Sequence, residues 1–159
     1  MTELTHLDES GAARMVDVAG KAVSVRTATA SGRVLVSAEV VSLLRSGEVP
    51  KGDALAVARI AGIMAAKKVP DLIPLCHPIA LHGVDIALVV EDSAVSIEAT
   101  CRTADRTGVE MEAITAVAVA GLTLIDMVKA IDPAATISDV CVVSKSGGKS
   151  GDWRRPEPT

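Results

Sequence analysis

The long helix of this chain is predicted by residues 107–133, which read TGVEMEAITAVAVAGLTLIDMVKAIDP. Thr107 and Glu110 match a capping box, in which a hydroxyl caps the helix and a carboxylate three residues later returns the hydrogen bond. Asp132-Pro133 is a stop signal, because proline cannot continue a helix. Residues 113–125 carry no charge, so we expect most of this helix to be buried against a sheet or a second subunit.

The segments on either side of this helix give the order of the other elements. Strands are predicted over residues 21–30, 80–90, 94–102 and 137–144, and helices over residues 39–45 and 53–67. Ser31-Gly32 is a turn signal, and three prolines predict a loop over 68–78. The 53–67 helix has an apolar stripe that we expect to be buried, formed by Leu55, Val57, Ile60, Ile63 and Met64.

This order predicts an α+β fold. Strand, helices, two strands, long helix and strand give the β-α-β-β-α-β pattern of a ferredoxin-like sandwich, an antiparallel sheet with helices packed on one face. No internal repeat or linker interrupts it. We therefore expect a flexible N-terminus over residues 1–12, a single domain over 13–153 and a polar C-terminal tail over 154–159.

The composition of the 159 residues bounds the functions that this chain can have. There is no Phe or Tyr and a single Trp, whereas Ala and Val together supply 47 residues. A core of small aliphatic side chains buries less area per residue, which makes oligomerisation plausible. The formal net charge of −4 and the lack of aromatic stacking platforms argue against a nucleic-acid partner.

The sequence also argues against a membrane segment and a metal site. Residues 1–12 have neither a basic start nor an apolar run, and the uncharged stretch 113–125 is too short to span a bilayer, so we expect a cytoplasmic protein. Three cysteines and three histidines show no metal-ligand spacing, and Cys76-His77 would point to opposite faces of an extended backbone. We expect no metal and no cofactor.

Asp126 and Lys129 are the first candidates for chemistry. Three residues apart on a helix, they lie on one face within reach of each other. Either they form an ordinary surface ion pair, or they exchange protons at the end of a buried helix. Glu112 falls within about 40° of Asp126 around the helix but about 21 Å along it. If both serve one kind of site, that site lies between subunits.

Three further segments suggest an anion site, each with a plainer alternative. Residues 144–151 (SKSGGKSG) lack the first glycine of a P-loop, where Val143 stands, but lysines among glycines can bind an anion. The alternative is a flexible tail. Lys51 precedes the predicted start of a helix, whose N-terminus attracts phosphate. His77 lies in a proline-bounded loop, where it is either oriented for function or merely exposed.

Six segments in order carry a resemblance to a known family over nearly the whole chain, from about residue 5 to Trp153. They are Met15-Val16-Asp17-Val18, Val49-Pro50-Lys51-Gly52-Asp53, Leu75-Cys76-His77-Pro78, Gly108-Val109-Glu110-Met111-Glu112-Ala113, Asp126-Met127 with Lys129-Ala130, and Lys145 to Gly151. Together they resemble the MoaC family of molybdenum cofactor biosynthesis proteins.

The resemblance implies a ferredoxin-like catalytic domain that assembles as a homohexamer, a trimer of dimers with active sites at subunit interfaces. It implies a substrate derived from a nucleotide, 3′,8-cyclo-7,8-dihydroguanosine 5′-triphosphate. This substrate is rearranged to cyclic pyranopterin monophosphate with release of pyrophosphate. The alternative is a non-enzymatic oligomeric module that binds a small ligand or regulates a partner.

The resemblance also implies roles for individual residues. Asp126 and Lys129 are the implied catalytic pair, with Lys51 as a further catalytic or substrate-holding lysine. The implied substrate-binding residues are Leu75, Cys76, His77, Met111, Glu112, Lys145, Lys149 and Arg26. Lysine ordinarily titrates near 10.4. We therefore expect Lys129 to act as acid and electrostatic stabiliser, and Asp126 as base.

Overall fold

A five-stranded antiparallel sheet carries the helices of this chain, in a computed structural model that describes residues 6–149 and 151–156. The elements in chain order are β1 (Ser24–Leu35), α1 (Ala38–Ser46), α2 (Ala54–Ala66), α3 (Val69–Leu72), β2 (Leu81–Val90), β3 (Ala94–Asp105), α4 (Glu110–Val128), β4 (Thr136–Ser146) and β5 (Trp153–Arg154). The strand order is β2-β3-β1-β4-β5, with antiparallel neighbours throughout. This order confirms the ferredoxin-like α+β prediction.

Strand β1 runs through the segment where a turn was predicted. Ser31 pairs with both β3 and β4, and Gly32 pairs with β3, so the predicted turn at this position is wrong. A β-carbon on Gly32 would lie 2.7 Å from a methyl group of Val117 in α4 and 3.0 Å from one of Val140. The glycine therefore allows the long helix to approach the centre of the sheet, and it does not mark a chain reversal.

Helix α4 is the core helix. It packs on β1, β3, β4 and α2. It is long and apolar enough to cross a membrane by length and composition alone, but more than half of its apolar window is buried inside the fold. The predicted capping box is wrong: Val109 is the N-cap, with no side-chain cap bond, and the Glu110 carboxylate pairs with Lys145 instead.

Helix α2 turns its small residues to the core and three of its large ones to solvent, while Leu55 and Ile63 pack partly buried against the core. Ala54, Ala58, Gly62, Ala65 and Ala66 are its buried residues. A β-carbon on Gly62 would lie 2.8 Å from the Ala116 carbonyl oxygen of α4, so only small side chains fit between the two helices. The predicted buried stripe is therefore wrong for Val57, Ile60 and Met64, which are 42%, 58% and 62% exposed. We call these three residues the α2 apolar face.

The loop that follows α2 contains one short helix that was not predicted. Val69–Leu72 forms α3 within the predicted loop 68–78, with Pro70 in its first turn, where a missing N–H costs nothing. Ile73 then donates its N–H to the Val69 carbonyl, and Cys76 donates to Ile73. These bonds direct residues 75–77 towards the N-terminus of α4.

The C-terminal segment folds back on β4 as a hairpin. Trp153 pairs with Lys145, and the Arg155 N–H donates to the Val143 carbonyl. The turn between them includes Gly147 and Gly148, both with positive φ. Parts of the predicted flexible N-terminus and of the predicted polar C-terminal tail, residues 1–5 and 157–159, lie outside the described residues, and the flexibility of the N-terminus stays a prediction.

Candidate active site

The larger of two adjoining cavities has a volume of about 400 Å³ and lies at the N-terminus of α4. Five predicted binding residues line it together, namely Leu75, Cys76, His77, Met111 and Glu112. Its other lining residues are His6, Val16, Val18, Lys21, Thr107, Gly108 and Glu110. The fold thus brings the loop before β2 and the first turn of α4 into one site.

Glu112 is the buried acid of this cavity, with only 3% of its surface exposed. Burial, supported by the nearby negative charge of Glu110, raises the pKa of Glu112 to about 7. The pKa of the Cys76 thiol is also raised, first by burial and then by Glu112. A carboxyl group with a pKa near neutrality can both give and take a proton under physiological conditions.

His77 is held by a single well-defined hydrogen bond. Its Nε2 lies 2.6 Å from the Val16 carbonyl oxygen. Because a carbonyl oxygen only accepts, Nε2 must carry the hydrogen, and Nδ1 is the acceptor nitrogen of the neutral ring. Of the two alternatives for His77, an oriented ring or a merely exposed one, this contact with the N-terminal segment favours the oriented ring. Among the described residues, no three His, Cys, Asp or Glu side chains group as metal ligands.

The second cavity, which we call the basic cavity, has a volume of about 170 Å³. It shares Lys21, Thr107, Gly108 and Glu110 with the larger one. Its remaining lining residues are Arg26, Thr27, Arg106, Val109, Lys145, Ser146 and Gly147. Four cationic side chains against one carboxylate make this cavity suited to an anion. Two of them, Arg26 and Lys145, were predicted binding residues.

Hydrogen bonds fix the two arginines of the basic cavity. Arg26 Nε lies 3.1 Å from the Asp105 carbonyl oxygen, and its Nη2 lies 3.2 Å from that of Arg106. Arg106 Nε in turn donates to the Lys21 carbonyl at 3.0 Å. The sequence did not single out Lys21 or Arg106, because an isolated basic residue beside a strand or helix is indistinguishable from a solvated charge.

The glycines after Lys145 allow the chain to pass close to Arg26. A β-carbon on Gly148 would lie 2.7 Å from the guanidinium carbon of Arg26, and one on Gly147 would overlap the Val25 carbonyl. Both residues also have positive φ, which favours glycine. The backbone of this segment therefore passes close to a cationic side chain, as in an anion-binding loop, although its sequence is not that of a P-loop. The predicted Lys149 lies in the same turn with its side chain exposed.

The three predicted catalytic residues form a second cluster, which we call the lysine–aspartate cluster. Lys129 Nζ lies 2.8 Å from Asp126 Oδ1, and Lys51 Nζ lies 3.2 Å from Oδ2 of the same carboxylate. Lys51 lies in a turn in which the Gly52 N–H donates to the Val49 carbonyl. Gly52 has a φ of 99° in this turn. Hydrogen bonds from Lys129 and Lys51 lower the pKa of Asp126.

The two sets of residues lie at opposite ends of α4. Glu112 is in the first turn of the helix and Asp126 in its last, and a rise of about 1.5 Å per residue separates them by about 21 Å. One chain therefore does not bring the lysine–aspartate cluster to the cavities. Chemically, one end offers an anion pocket beside a buried acid, and the other offers an ionised carboxylate between two ammonium groups.

Comparison of the sequence with known proteins shows the family to which the chain belongs. A sequence profile of the MoaC family matches residues 15–148. Proteins named cyclic pyranopterin monophosphate synthase are 67% identical in Nocardioides sp. and 69% identical in Streptomyces coelicolor. The alignments cover 96% of this chain in both cases, and 96% and 89% of the relatives. A Mycobacterium tuberculosis protein named cyclic pyranopterin monophosphate synthase 2 is 59% identical over 96% of this chain and 92% of its own length. The chain belongs to the MoaC family.

Proposed function

We propose that this chain converts 3′,8-cyclo-7,8-dihydroguanosine 5′-triphosphate to cyclic pyranopterin monophosphate with release of pyrophosphate, a step of molybdenum cofactor biosynthesis. Its relatives at 67% and 69% identity carry the name of the corresponding synthase. The observation that carries the proposal is the junction of the two cavities. A pocket with a buried acid opens into a pocket lined by four cations, as a ligand with a heterocycle and a polyphosphate requires.

The triphosphate occupies the basic cavity in this proposal. Lys21, Arg26, Arg106 and Lys145 supply fixed positive charge in a chain whose formal net charge is −4. Negative charge develops on the leaving pyrophosphate, and preorganised cations stabilise it most in the transition state. Arginine held by backbone carbonyls loses little freedom when it binds a phosphate. Lys149, exposed at the adjoining turn, contributes a further ammonium group.

The cyclised nucleoside occupies the larger cavity, against residues 75–77, Met111 and Glu112. Opening and reclosing its rings requires proton transfers. Glu112, with a pKa of about 7, can supply or accept a proton, and His77 is oriented beside it by its Nε2 contact with the Val16 carbonyl. Asp126 is ionised at neutral pH and serves as base, with Lys129 as acid and electrostatic stabiliser and Lys51 as a second cation.

We infer that the active sites are shared between subunits of a homohexamer, a trimer of dimers. The separation of about 21 Å between Glu112 and Asp126 keeps the two clusters apart within one chain. The α2 apolar face supplies uncovered aliphatic surface that a second copy would bury. A biosynthetic enzyme of this kind acts in the cytoplasm, without a nucleic-acid or membrane partner.

A direct assay tests the proposed function. The purified chain is incubated with the cyclised nucleotide, and pyrophosphate and the cyclic monophosphate product are quantified. The proposal expects both products in equal amounts, because each triphosphate loses two phosphoryl groups together. A non-enzymatic module that binds the nucleotide would release neither.

A further inference from the structure

The Glu110–Lys145 ion pair lies at the boundary between the two cavities. Lys145 Nζ lies 2.9 Å from Glu110 Oε1, and the side chains are 32% and 28% exposed. Glu110 lines both cavities, and of the described residues that line the basic cavity it is the one acid. A carboxylate at this position lowers the positive potential that an anion would meet. We therefore look for a contribution of Glu110 to anion binding that offsets this loss of positive potential.

Gly108 leaves room for this carboxylate. A β-carbon on Gly108 would overlap Glu110 Oε2 and lie 2.7 Å from the carboxyl carbon. Gly108 is not among the described glycines with positive φ, so its backbone conformation does not demand glycine. The Glu110 side chain could swing away from an added methyl group, but swinging away would break its contact with Lys145.

We propose that Glu110 is a positioning residue that holds the Lys145 ammonium group in place for an anionic phosphate chain, and that glycine at 108 is required to accommodate this carboxylate. A lysine side chain has four rotatable bonds, and fixing it on binding costs conformational entropy. A carboxylate that fixes it beforehand moves that cost from binding to folding. The inference deepens the proposed function and rests on it for the identity of the phosphate chain.

Inorganic triphosphate provides the test, because its binding can be measured whether or not the chain turns over a nucleotide. Dissociation constants are measured by calorimetry at fixed ionic strength, since screening changes every charged contact. If electrostatics alone mattered, Glu110→Gln would tighten binding, because it removes a negative charge from the pocket. Positioning predicts the opposite sign, with binding weakened roughly three- to tenfold.

If positioning is the cause, the weaker triphosphate binding of Glu110→Gln depends on the presence of Lys145. In a Lys145→Met background, Glu110→Gln should no longer weaken triphosphate binding, because the group that it positions is gone. Glu39→Gln is the matched control, an exposed acid in the first turn of α1 whose loss changes the net charge equally. Tighter binding in Glu110→Gln itself, or an effect no larger than that of Glu39→Gln, would overturn the proposal.

Gly108→Ala tests the space for the carboxylate separately. Alone it should weaken triphosphate binding about as much as Glu110→Gln, and combined with Glu110→Ala it should add little, because the methyl group then has nothing to displace. Equal losses in both backgrounds would mean that the methyl group blocks the cavity itself, and that outcome overturns the role of Gly108. Thermal unfolding of each variant establishes that the fold is retained.

Kinetics distinguish this inference from the proposed function. With the cyclised nucleotide, Glu110→Gln should raise KM by the same factor as the triphosphate dissociation constant and change kcat less. A wild-type chain that binds triphosphate with this Glu110 dependence but releases no pyrophosphate would overturn the proposed function and leave the positioning role standing.

Discussion

Lys51 Nζ lies 2.6 Å from the backbone carbonyl oxygen of Asp126 and 3.2 Å from a carboxylate oxygen of the same residue. The loop between α1 and α2 is thereby tied to the last turn of α4. Lys129 donates to the other carboxylate oxygen, so one aspartate is shared by two ammonium groups. Both lysines lower the pKa of Asp126, so its carboxylate stays ionised to a lower pH than an ordinary aspartate does.

The first prediction concerns catalysis by this cluster. Asp126→Asn and Lys129→Ala should each lower kcat roughly 10²-fold or more, because proton transfer and charge stabilisation are both lost. An exposed ion pair contributes little to stability, so urea unfolding should change only slightly. The double variant should be scarcely slower than the slower single one, because groups that act together are non-additive. Normal turnover by Asp126→Asn would rule out its catalytic role.

The second prediction concerns sites shared between subunits. Glu112→Ala and Lys129→Ala proteins should each be inactive alone, but mixed oligomers formed after dissociation and reassembly should regain part of the activity. Both defects then fall in the same site and leave other sites intact. Pyrophosphate release is the measurement, and mass analysis verifies subunit exchange. Verified exchange without recovered activity would contradict sites built from two chains.

The third prediction concerns the pH dependence of stability. Folding raises the pKa of Glu112 from 4.5 to about 7, so the folded state holds a proton that the unfolded chain has released. The contribution of Glu112 to stability is therefore fully present below about pH 4.5 and is lost as the pH rises through about 7. Glu112→Gln, which is neutral throughout, should lack this loss.

Urea midpoints of the wild type and of Glu112→Gln, measured at a series of pH values between about 4.5 and 8, provide this comparison. The difference between the two proteins should move in favour of Glu112→Gln as the pH rises. Parallel curves would mean that Glu112 titrates alike in the folded and unfolded states.

The fourth prediction concerns the α2 apolar face. Ile60, 58% exposed in the single chain, should be buried by a second copy. Ile60→Asp should therefore shift the protein towards smaller species in light scattering at micromolar concentration, because a buried unpaired carboxylate is costly. Glu39→Lys, a charge change on the exposed surface of α1, is the control and should leave assembly unchanged. A wild-type chain that is a stable, active monomer would contradict the inferred hexamer.

The fifth prediction compares two glycines of the helix core. An alanine β-carbon at Gly62 would lie 2.6 Å from Ile86 Cδ1 and 2.8 Å from the Ala116 carbonyl, whereas at Gly121 its nearest neighbour is at 3.2 Å. Replacing glycine by alanine inside a helix stabilises the folded state by about 1 kcal/mol through helix propensity, whereas overpacking a core destabilises it by about 1–3 kcal/mol. Gly62→Ala should therefore lower the free energy of unfolding, and Gly121→Ala should change it less. Equal effects in urea unfolding would show that the α2–α4 spacing can relax.

The order of the elements could be predicted from the sequence because each element has its own periodicity. The strands over 80–90 and 94–102, the helix over 53–67 and the uncharged core helix are all predicted by local patterns, and they are present in the structure as β2, β3, α2 and α4. The interpretation of Ser31-Gly32 as a turn was wrong because the role of Gly32 is set by α4, which lies far away in the chain.

The candidate site was predictable only in part. The resemblance supplied residues 75–77, Met111 and Glu112, and these line one cavity. Lys21 and Arg106 could not be identified from the sequence, because their place in the basic cavity depends on their neighbours in space and not on their neighbours in sequence.

The sequence by itself determined the class of fold, the buried helix and the charged residues at its two ends, because hydrophobic periodicity and helix geometry act over a few residues. Only the tertiary structure decided the partners of those charges. Glu110 pairs with Lys145 instead of capping its own helix, and Lys51 reaches Asp126 across 75 positions of the chain. Such contacts depend on how strands and helices pack, and packing is governed by the shape of the whole core, which local patterns do not encode.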